Sequence, residues 1–393
     1  MADAPRAREY DAAVVGAGIV GLASAWRLAQ RGLSVVAIDR GAAGSGASSV
    51  AAGMLAPVTE AEFGEQALLG LNLAGAAAWP GFAAELAERS GLGTGYRECG
   101  ALVVAVDRDD LEEIRRLHSF QRSLGLDAEW LTGRECRRLE PGLAPSVGGG
   151  VLAAHDHQAD PRATLAALRT AFEHEGGEIV EGVEVTGVED HSLVTSAGHV
   201  HAEHVVVAAG AWSAALAPDA PPLRPVKGQV LRLREGAGSG PGGAAPSGGA
   251  APTGGPPALA SRIVRTPRCY VVPRAGGEIV IGATVEERGF DPAVTAGGVH
   301  RLLEAAWEAL PDVEERELVE TSASFRPATP DNAPVVGRGS TAGLIWATGH
   351  HRNGILLAPI TASAVAALAT GAEPVEELAG FGPERFALAG RHA

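Results

Sequence analysis

The chain is poor in the residue types that mark several common classes of protein. Its 393 residues include only three cysteines, which lie far apart and lack CxxC spacing. Neither a disulfide framework nor a cysteine zinc site is therefore predicted, and a reducing cytoplasm is the expected compartment. Basic residues are also in deficit, and a formal net charge of −15 argues against nucleic acid or an anionic membrane surface as the main partner.

Long apolar runs are missing as well. No run comes near the ~20 residues of a membrane-spanning helix, and residues 1–9 are polar, without the apolar core of a secretion signal. We therefore expect no membrane association. The length is sufficient for a large core and two domains, and a homo-oligomer is left open.

Lysine, methionine and tyrosine are so scarce that the remaining copies are informative. Lys227 is the only lysine, Met54 is the only methionine after the first residue, and Tyr270 is one of three tyrosines. Because the composition disfavours them, these residues and Asn353 indicate positions where another residue type would not fulfil the function. Retention without any function explains each of them equally well.

What the chain does have is a complete βαβ pattern at its start. An apolar run over residues 10–15 leads into the turn Gly16-Ala-Gly18-Ile-Val-Gly21. A helical pattern, a second apolar run over residues 33–38 and then Asp39 follow. This is the order of a dinucleotide-binding unit.

Each glycine of this turn has its own purpose. Gly16 makes the tight turn, Gly18 lets the backbone approach a pyrophosphate, and Gly21 lets the helix pack close to the strand. The helix N-terminus then favours the phosphate charge, and Asp39 is placed to accept hydrogen bonds from ribose hydroxyls. Taken alone, this unit fits NAD and FAD equally.

The remaining pattern predicts an α/β fold with a discontinuous Rossmann-like domain. Strand and helix patterns return at residues 161–208, and again at 344–369 around a glycine-containing turn. We assign residues 9–55, 145–222 and 330–393 to this domain, and residues 56–144 and 223–329 to an antiparallel-sheet α+β domain. Helices are predicted at 62–90, interrupted at Pro80, and at 108–124, 161–175, 297–309 and 355–369.

Two segments of small residues need separate interpretations. Residues 41–53 would let the backbone lie flat against a planar ligand with several N–H groups directed at it, with a mobile loop as the alternative. Residues 236–257 are nearly all Gly, Ala, Pro and Ser and cannot bury enough apolar surface to become ordered. We predict a disordered low-complexity insert there.

Several motifs, in a fixed order, carry a resemblance to a known family. After the first glycine turn they are SSVAAGMLAP (48–57), VVAAGAWS (206–213), PVKGQ (225–229), CYVVPR (269–274), IGAT (281–284), RPATPDNAPVVG (326–337) and GHHRNGILLAP (349–359). In these motifs the chain resembles the FAD-dependent amine oxidases of the D-amino acid oxidase and sarcosine oxidase type, most closely the glycine oxidases.

The resemblance implies non-covalently bound FAD and assigns residues to it. They are Gly16, Gly18, Ile19, Val20 and Gly21 at the pyrophosphate, Asp39 and Arg40 at the adenosine, Val185 at the adenine, Ala47, Ser48, Ala52, Gly53 and Met54 beside the isoalloxazine, and His350, His351, Arg352, Asn353, Gly354, Ile355 and Leu356 around the pyrimidine ring. It also implies that Arg326 and Arg352 bind the substrate carboxylate, with Tyr270 as the hydroxyl partner.

The implied reaction is oxidation of a carbon–nitrogen bond of a small amino acid by hydride transfer to flavin N5. The imine hydrolyses, and O2 is reduced to hydrogen peroxide. Such a substrate offers little apolar surface, and the planar fork of an arginine holds its carboxylate by two parallel bonds. Hydride transfer needs placement and a neutral amine rather than a strong protein base, so no catalytic side chain is assigned.

Less specific interpretations of single residues stay open. Arg326 fits a surface ion pair, and Tyr270 fits ordinary strand packing. Lys227 fits either a solvated charge at the start of a strand or a cation near the flavin that assists oxygen reduction.

The pairs His155/His157 and His199/His201 lack a third ligand, so no metal is predicted. Adjacent His350 and His351 allow covalent flavin attachment, but the resemblance is to non-covalent members.

We therefore expect a cytoplasmic glycine oxidase that would supply iminoacetate for the thiazole of thiamine. Its expected partners are a small amino acid and O2, without nucleic acid or membrane. Alternatives are a sarcosine or D-amino acid oxidase, a dehydrogenase that passes electrons to a carrier, the flavin domain of a tRNA-modifying enzyme, and a non-catalytic flavin-binding subunit. The acidic charge balance disfavours the tRNA enzyme.

Overall fold

The computed structural model describes residues 9–234 and 258–386; the predicted insert at 236–257 and the last residues of the predicted first domain lie outside these ranges. In chain order the elements are β1 (Glu9–Val15), α1 (Ile19–Ala29), β2 (Val35–Asp39), α2 (Ala47–Val50), β3 (Met54–Leu55), α3 (Gln66–Ser90), β4 (Ala101–Ala105), α4 (Arg108–Ser123), β5 (Glu129–Thr132), α5 (Gly133–Leu139), β6 (Gly149–Ala153), β7 (His157–Gln158), α6 (Pro161–His174), β8 (Glu178–Glu181), β9 (Val185–Glu189), β10 (Ser192–Thr195), β11 (Gly198–Val207), β12 (Arg224–Arg234), β13 (Ile263–Arg265), β14 (Tyr270–Pro273), β15 (Glu278–Gly282), α7 (Ala296–Ala309), β16 (Glu317–Ala328), β17 (Val335–Arg338), β18 (Leu344–Thr348) and α8 (Gly354–Ala369).

The first sheet has a parallel centre with strand order β18-β11-β1-β2-β8. Antiparallel β17 pairs with β18, and the hairpin β9–β10 joins β11. The strand order reverses at β1, which lies between β2 and β11. In open α/β sheets, ligands bind at such a switch point, outside the carboxyl ends of the strands.

Side chains of β1 alternate between two buried layers, as the two-residue period of a strand requires. Ala12 and Val14 pack in the cluster formed with helices α1, α3, α6 and α8. Ala13 and Val15 face the opposite side, where Val188 and Leu193 of the hairpin cover the sheet. A strand buried on both faces reads as a continuous apolar run, which is the pattern found in the sequence.

The second sheet has the order β16-β12-β15-β14-β13-β4-β6-β5 and is antiparallel except for the pair β4–β13. Helices α5 and α7 contribute Cys136 and Leu302 to the core on one face, and α4 contributes Ile114 to the other. The predicted fold class, a parallel α/β sheet with an antiparallel α+β sheet, is confirmed.

Local details differ from the sequence-based expectations. Strand β6 pairs with β4 and β5 in the second sheet, although the predicted division places residues 145–222 with the first. The division into domains otherwise stays a prediction.

Helix α3 begins at Gln66 rather than at residue 62 and continues through Pro80 without a break. A proline inside a helix costs one backbone hydrogen bond and a steric clash. Burial of Leu71, Trp79 and Leu86 on the inner face of α3 offsets that cost. Residues 57–65, part of which the sequence predicts as helix, form turns and loop before α3.

Two helices are long and apolar enough to cross a membrane by length and composition alone, Gln66–Ser90 and His351–Ala369. This corrects the expectation that no segment comes near that length. In the second, 67 % of the most apolar window is buried inside the protein, where α8 packs in the core with α1 and α3. Because core helices have the same composition, these two helices are weak evidence for a membrane.

Trp79 joins α3 to the beginning of α8. Its side chain is fully buried, and its indole N–H donates to the carbonyl oxygens of Ile355 at 3.2 Å and Leu356 at 3.0 Å. Gly75, one turn earlier, allows the two helices to approach, because a Cβ there would lie 2.9 Å from Leu357 Cδ2. Trp79 therefore fixes the first turn of α8.

We expect Trp79→Phe to lower the free energy of unfolding by roughly 1–3 kcal/mol, because it removes a buried donor and leaves two carbonyl groups less satisfied. Urea denaturation followed by far-UV circular dichroism measures the change. Trp307→Phe is the matched control, since Trp307 is 48 % exposed and a surface change of this kind stays within about 0.5 kcal/mol. Equal stability of the two variants would contradict the role given to Trp79.

Candidate active site

A large cavity opens at the carboxyl end of β1 and reaches the face of the second sheet. Its volume is about 960 Å³, at the upper end of the ~300–1,000 Å³ typical of ligand pockets. The walls come from the first glycine turn, residues 45–54, the irregular segment after β11, strands β12 and β14–β16, and the turn before α8. The cavity is therefore long enough to join two separate subsites.

The glycine turn forms one end of the cavity. Gly16 has φ of +96°, donates its N–H to Ile38 O at 2.8 Å, and has no room for a Cβ, which would lie 2.6 Å from Ala208 O. A Cβ on Gly21 would lie 1.8 Å from Gly16 O. Both glycines therefore have the packing roles predicted for them, and the N-terminus of α1 faces the cavity through Gly18.

Ser48 adds an unpredicted contact at this end. Its Oγ accepts a hydrogen bond from Ile19 N at 3.0 Å, so a residue from a distant segment serves one of the N–H groups that have no partner within α1. The remaining N–H groups of the first turn have no intrahelical acceptor by their position and suit an anion.

Asp39 and Arg40 lie beside the glycine turn. The Asp39 carboxylate accepts from the backbone N–H of Ala17 at 2.8 Å and of Gly41 at 2.9 Å, so it shapes the turn while its remaining lone pairs stay available for hydroxyl donors. The guanidinium of Arg40 lies 4.0 Å from the ring centre of Trp212. Trp212 also lines the cavity, and the sequence analysis gave it no role.

The small-residue segment at 47–53 is not free of contacts. Arg162 Nε and Arg232 Nη2 both donate to Ser49 O, at 2.9 Å and 3.0 Å, and Arg274 donates to Ala52 O. Arg232 and Arg274 are buried. Three arginines from separate elements therefore fix the backbone of a segment for which a mobile loop was the alternative.

Arg326 and Tyr270 share the cavity-facing side of the second sheet. The Arg326 guanidinium lies across Gly228, where a Cβ would be 2.6 Å from Nη1 and Nη2, and Nη1 donates to Thr284 O at 3.2 Å. The Tyr270 hydroxyl lies over Gly282 in the same way. Missing side chains at Gly228 and Gly282 therefore create the space that the two polar groups occupy.

Burial raises the pKa of Tyr270, and the nearby positive charge of Arg326 acts in the opposite direction without cancelling it. The tyrosine therefore stays protonated and can donate a hydrogen bond at neutral pH. Arg326 forms no ion pair within the described ranges of the chain, and its hydrogen bonds go to backbone carbonyl groups. Its positive charge is available to a ligand anion.

Arg352 is in a different situation from Arg326. Its Nη1 and Nη2 bond both carboxylate oxygens of Glu65, and Glu62 lies 3.8 Å from Nη2. Its Nε is buried and has no hydrogen-bond partner among the described residues. The fork of Arg352 is thus occupied by a carboxylate of the protein itself.

Two histidines precede Arg352 in the chain, and both are uncharged. Burial lowers the pKa of His350 to about 4. Burial, with the charge of Arg352 adding to it, lowers the pKa of His351 to about 3. His350 Nε2 and the hydroxyl of Thr361 in α8 are 2.9 Å apart, so this histidine is held against α8. Both imidazoles are uncharged at neutral pH.

Most predicted site residues are brought together on the cavity wall. These are Gly16, Gly18, Ile19, Val20, Asp39, Arg40, Ala47, Ser48, Ala52, Gly53, Met54, Val185, Tyr270, Arg326, His350, His351, Arg352, Gly354 and Ile355. Gly21, Asn353 and Leu356 do not line it. The binding roles given to all of these residues stay predictions.

Lys227 does not line the cavity, and it is not a solvated charge at the start of a strand. Its side chain is fully buried, with Nζ 3.6 Å from Asp291 Oδ2 and 3.9 Å from Glu286 Oε2.

Cys136 and Cys269 are buried thiols. Among the residues that the structure describes, no three His, Cys, Asp or Glu side chains are grouped as metal ligands would be.

The parallel sheet, the glycine turn and the long cavity define a dinucleotide-binding protein with a second subsite on an antiparallel sheet. Three comparisons with known proteins agree. The profile of the family DAO, FAD dependent oxidoreductase, matches residues 11–368. The chain is 36 % identical over 382 residues to a glycine oxidase of Geobacillus kaustophilus, covering 95 % of this chain and 96 % of that one.

It is also 35 % identical over 362 residues to a bifunctional protein ThiO/ThiG of Trichormus variabilis, covering 91 % of this chain and 52 % of that protein. The chain thus spans about half the length of that relative. The crystal structure of glycine oxidase from Geobacillus kaustophilus superposes with a TM-score of 0.84, covering 95 % of this chain and 98 % of that one. The protein belongs to the family of FAD-dependent oxidoreductases.

The residues of the cavity fit FAD. The glycine turn leaves no Cβ in the path of the backbone beside Gly16 and Gly21, and α1 begins there without an acidic residue in its first turn. The segment at 47–53 is small and fixed, and the N-terminus of α8 faces the same cavity through Gly354 and Ile355. The phosphates of FAD would suit the N-terminus of α1, and its planar ring would suit the small-residue segment at 47–53. Negative charge on that ring would suit the N-terminus of α8.

Replacing Gly21 with alanine should weaken FAD binding, because the new Cβ forces α1 away from the glycine turn and from the phosphates. We expect purified Gly21→Ala to retain about one tenth or less of the wild-type flavin per chain, given the cost of overpacking at a backbone contact. Visible absorbance against protein concentration measures this, with circular dichroism as the check on folding.

Gly70→Ala is the matched control for this substitution. Gly70 lies on the exposed side of α3, away from the cavity wall, and a Cβ there meets no atom within 4 Å. We expect normal flavin content in Gly70→Ala. Wild-type flavin content in folded Gly21→Ala would show that the close approach is not needed for the cofactor.

Proposed function

We propose that this protein oxidises the carbon–nitrogen bond of glycine, or of another small amino acid or secondary amine, with O2 as the oxidant. The observation that carries this proposal is Arg326, an arginine at the wall of the cofactor cavity without an acidic partner in the described part of the chain. Similarity to proteins named glycine oxidase supports it.

Arg326 is suited to hold the carboxylate of an amino acid. Its guanidinium presents parallel N–H donors that match a carboxylate and fix its orientation. The Tyr270 hydroxyl, kept protonated by burial, is a second donor on the same face of the sheet. A carboxylate bound by both would have its orientation fixed, so that the α-carbon points along the cavity toward the glycine-turn side.

The bound cofactor supplies the redox chemistry, since FAD accepts a hydride and is re-oxidised by O2. The chain supplies position and electrostatics. Uncharged His350 and His351 add no positive charge that would repel a substrate ammonium group before its deprotonation. The N-terminus of α8 contributes a positive helix-dipole potential at this wall.

The narrower assignments belong to the same proposal. The product would be the imine of glycine, iminoacetate, used for the thiazole of thiamine, and the similarity to a protein named ThiO/ThiG supports that destination. A cytoplasmic location and the absence of nucleic-acid and membrane partners follow from composition alone and are proposed on that basis.

A peroxide assay with glycine, sarcosine, D-alanine and D-proline tests the proposal. We expect catalase-sensitive peroxide from the purified FAD protein, with glycine or sarcosine among the best substrates, because the carboxylate anchor is retained and the substrate side of the cavity is not charged by the histidines. Reduction of an artificial dye without peroxide would identify a dehydrogenase. No turnover of any amine by the FAD-loaded protein would overturn the proposal.

Lysine substitutions compare the two arginines directly. We expect Arg326→Lys to raise the KM for glycine by roughly 10- to 100-fold, the equivalent of one charged hydrogen bond of about 1.5–3 kcal/mol. Arg352→Lys should raise it less and should lower the melting temperature, because Glu65 loses its two-point partner. A KM increase as large in Arg352→Lys as in Arg326→Lys would restore the equal pair of anchors implied by the family resemblance.

A further inference from the structure

Residues 283–291, here called the strap, follow β15 and cross β12 beside the cavity. The strap bonds β12 through its backbone at two neighbouring places. Lys227 N donates to Glu286 O at 2.9 Å and Glu286 N donates to Lys227 O at 3.0 Å, and Thr284 N donates to Gln229 O at 3.3 Å. Val285 of the strap lines the cavity. The strap therefore lies between the strand that carries Lys227 and the substrate side of the site.

Arg326 depends on the strap for its best hydrogen bond. Its Nη1 donates to Thr284 O at 3.2 Å, and more weakly to Lys227 O at 3.5 Å. Both acceptors are backbone carbonyl groups, and no carboxylate among the described residues holds the guanidinium. The direction of the Arg326 fork is thus set by where the strap places the Thr284 carbonyl.

Thr284 is in turn fixed by its side chain. Its hydroxyl donates to Glu286 Oε1 at 2.6 Å and accepts from Gln229 N at 2.9 Å. Gln229 is fully buried, and its Nε2 also donates to Glu286 Oε1 at 2.6 Å. The Glu286 carboxylate is therefore the acceptor on which Thr284 and Gln229 converge.

Among the described residues, the polar groups that contact the Glu286 carboxylate are donors or cations. Besides Thr284 and Gln229, Lys227 Nζ lies 3.9 Å and Arg288 Nε 3.6 Å from Oε2. Burial raises the pKa of Glu286, but the hydrogen bonds from Thr284 and Gln229 and the charge of Lys227 outweigh it, so the pKa is lowered overall. Only an ionised carboxylate, with acceptors on both oxygens, satisfies these neighbours.

We propose that Glu286, held between buried Lys227 and Thr284, is a positioning residue for Arg326 and so for the substrate carboxylate. It acts through the strap and does not touch the substrate. The proposal rests on the proposed function only in taking Arg326 as the carboxylate anchor. It also gives the chain's only lysine a role, since a buried ammonium needs its carboxylate partners.

Glu286→Gln tests the proposal with little change of shape. With the amide oxygen toward Thr284 and Gln229, the amide group faces Lys227 and Arg288, which are also donors; in the other orientation it faces Thr284 and Gln229. Either way the charge opposite Lys227 is lost, so we expect the strap to shift and the Thr284 carbonyl with it. We expect the dissociation constant of acetate, followed by the perturbation of the flavin absorbance, to rise about tenfold, as loss of one well-placed charged hydrogen bond implies. Flavin content should stay at the wild-type level.

Glu287→Gln is the matched control. Glu287 is the next residue, with an exposed side chain that pairs with Arg224 at 3.2 Å, and it has no bond to Thr284. We expect acetate binding and turnover of glycine to be unchanged in this variant. An equal loss in Glu287→Gln would mean that the whole strap responds to charge, and would overturn the specific role of Glu286.

A comparison of two substrates distinguishes a positioning role of Glu286 from a purely structural one. If Glu286 acts through Arg326, the ratio of kcat/KM for glycine to that for glycine methyl ester falls in Glu286→Gln, because the ester has no carboxylate to anchor. General damage would lower both values and leave the ratio unchanged. Thr284→Val should reproduce the fall, and Thr284→Ser, which keeps the hydroxyl, should restore the ratio.

The acetate measurement also separates this inference from the proposed function. If the wild-type protein binds acetate but does not oxidise glycine, the proposed function fails while the comparison of variants still decides the role of Glu286. If the acetate dissociation constants of wild type and Glu286→Gln are equal, the positioning role fails, whatever the substrate.

Discussion

The turn at Gly16 brings the carboxyl ends of three parallel strands into contact. Its N–H bonds to Ile38 at the end of β2, and its Cα faces the carbonyl of Ala208 just after β11. Any Cβ at this point would push the strands apart. The switch point of the sheet, the start of α1 and the position of the cavity all depend on this contact, because the crevice opens where these three strands end.

Arginine has two different uses around the cavity. Arg162, Arg232 and Arg274 each donate one hydrogen bond to a backbone carbonyl of the segment at 47–53 and so make a wall of small residues rigid. Arg326 also donates to backbone carbonyls, but it faces the cavity and has no acidic partner among the described residues. A rigid wall opposite one available cation is an arrangement that orients a small anionic ligand without needing apolar contact.

Much of the fold could be predicted because its signals are local. The first βαβ unit, the return of the same pattern in the middle and at the end of the chain, and the family motifs all lie in short windows of sequence. The predicted division places the segment that forms β6 in the first domain, although it pairs in the second sheet, because a short apolar segment does not reveal its partners. Pro80 was expected to break α3, because the burial of Trp79 that compensates for it is a tertiary effect.

The residues that line the site could be predicted from the sequence better than the partners that their side chains contact. Most of the predicted residues lie on the cavity wall, yet nothing in the local pattern around Arg352 indicates Glu65, which is 287 positions away. The same holds for Trp212 beneath Arg40 and for Glu286 beside Lys227. Motifs record which side chains are present, whereas the pairing of charges depends on which segments the fold brings together.

The burial of Lys227 has a practical consequence for labelling. It carries the only side-chain amine of the chain, and that amine is enclosed between β12 and the strap with no exposed surface. An amine-reactive reagent therefore has no lysine to modify while the fold is intact. Acylation of Lys227, read by mass spectrometry, would therefore report any exposure of this buried amine, because every other basic side chain of the chain is an arginine or a histidine.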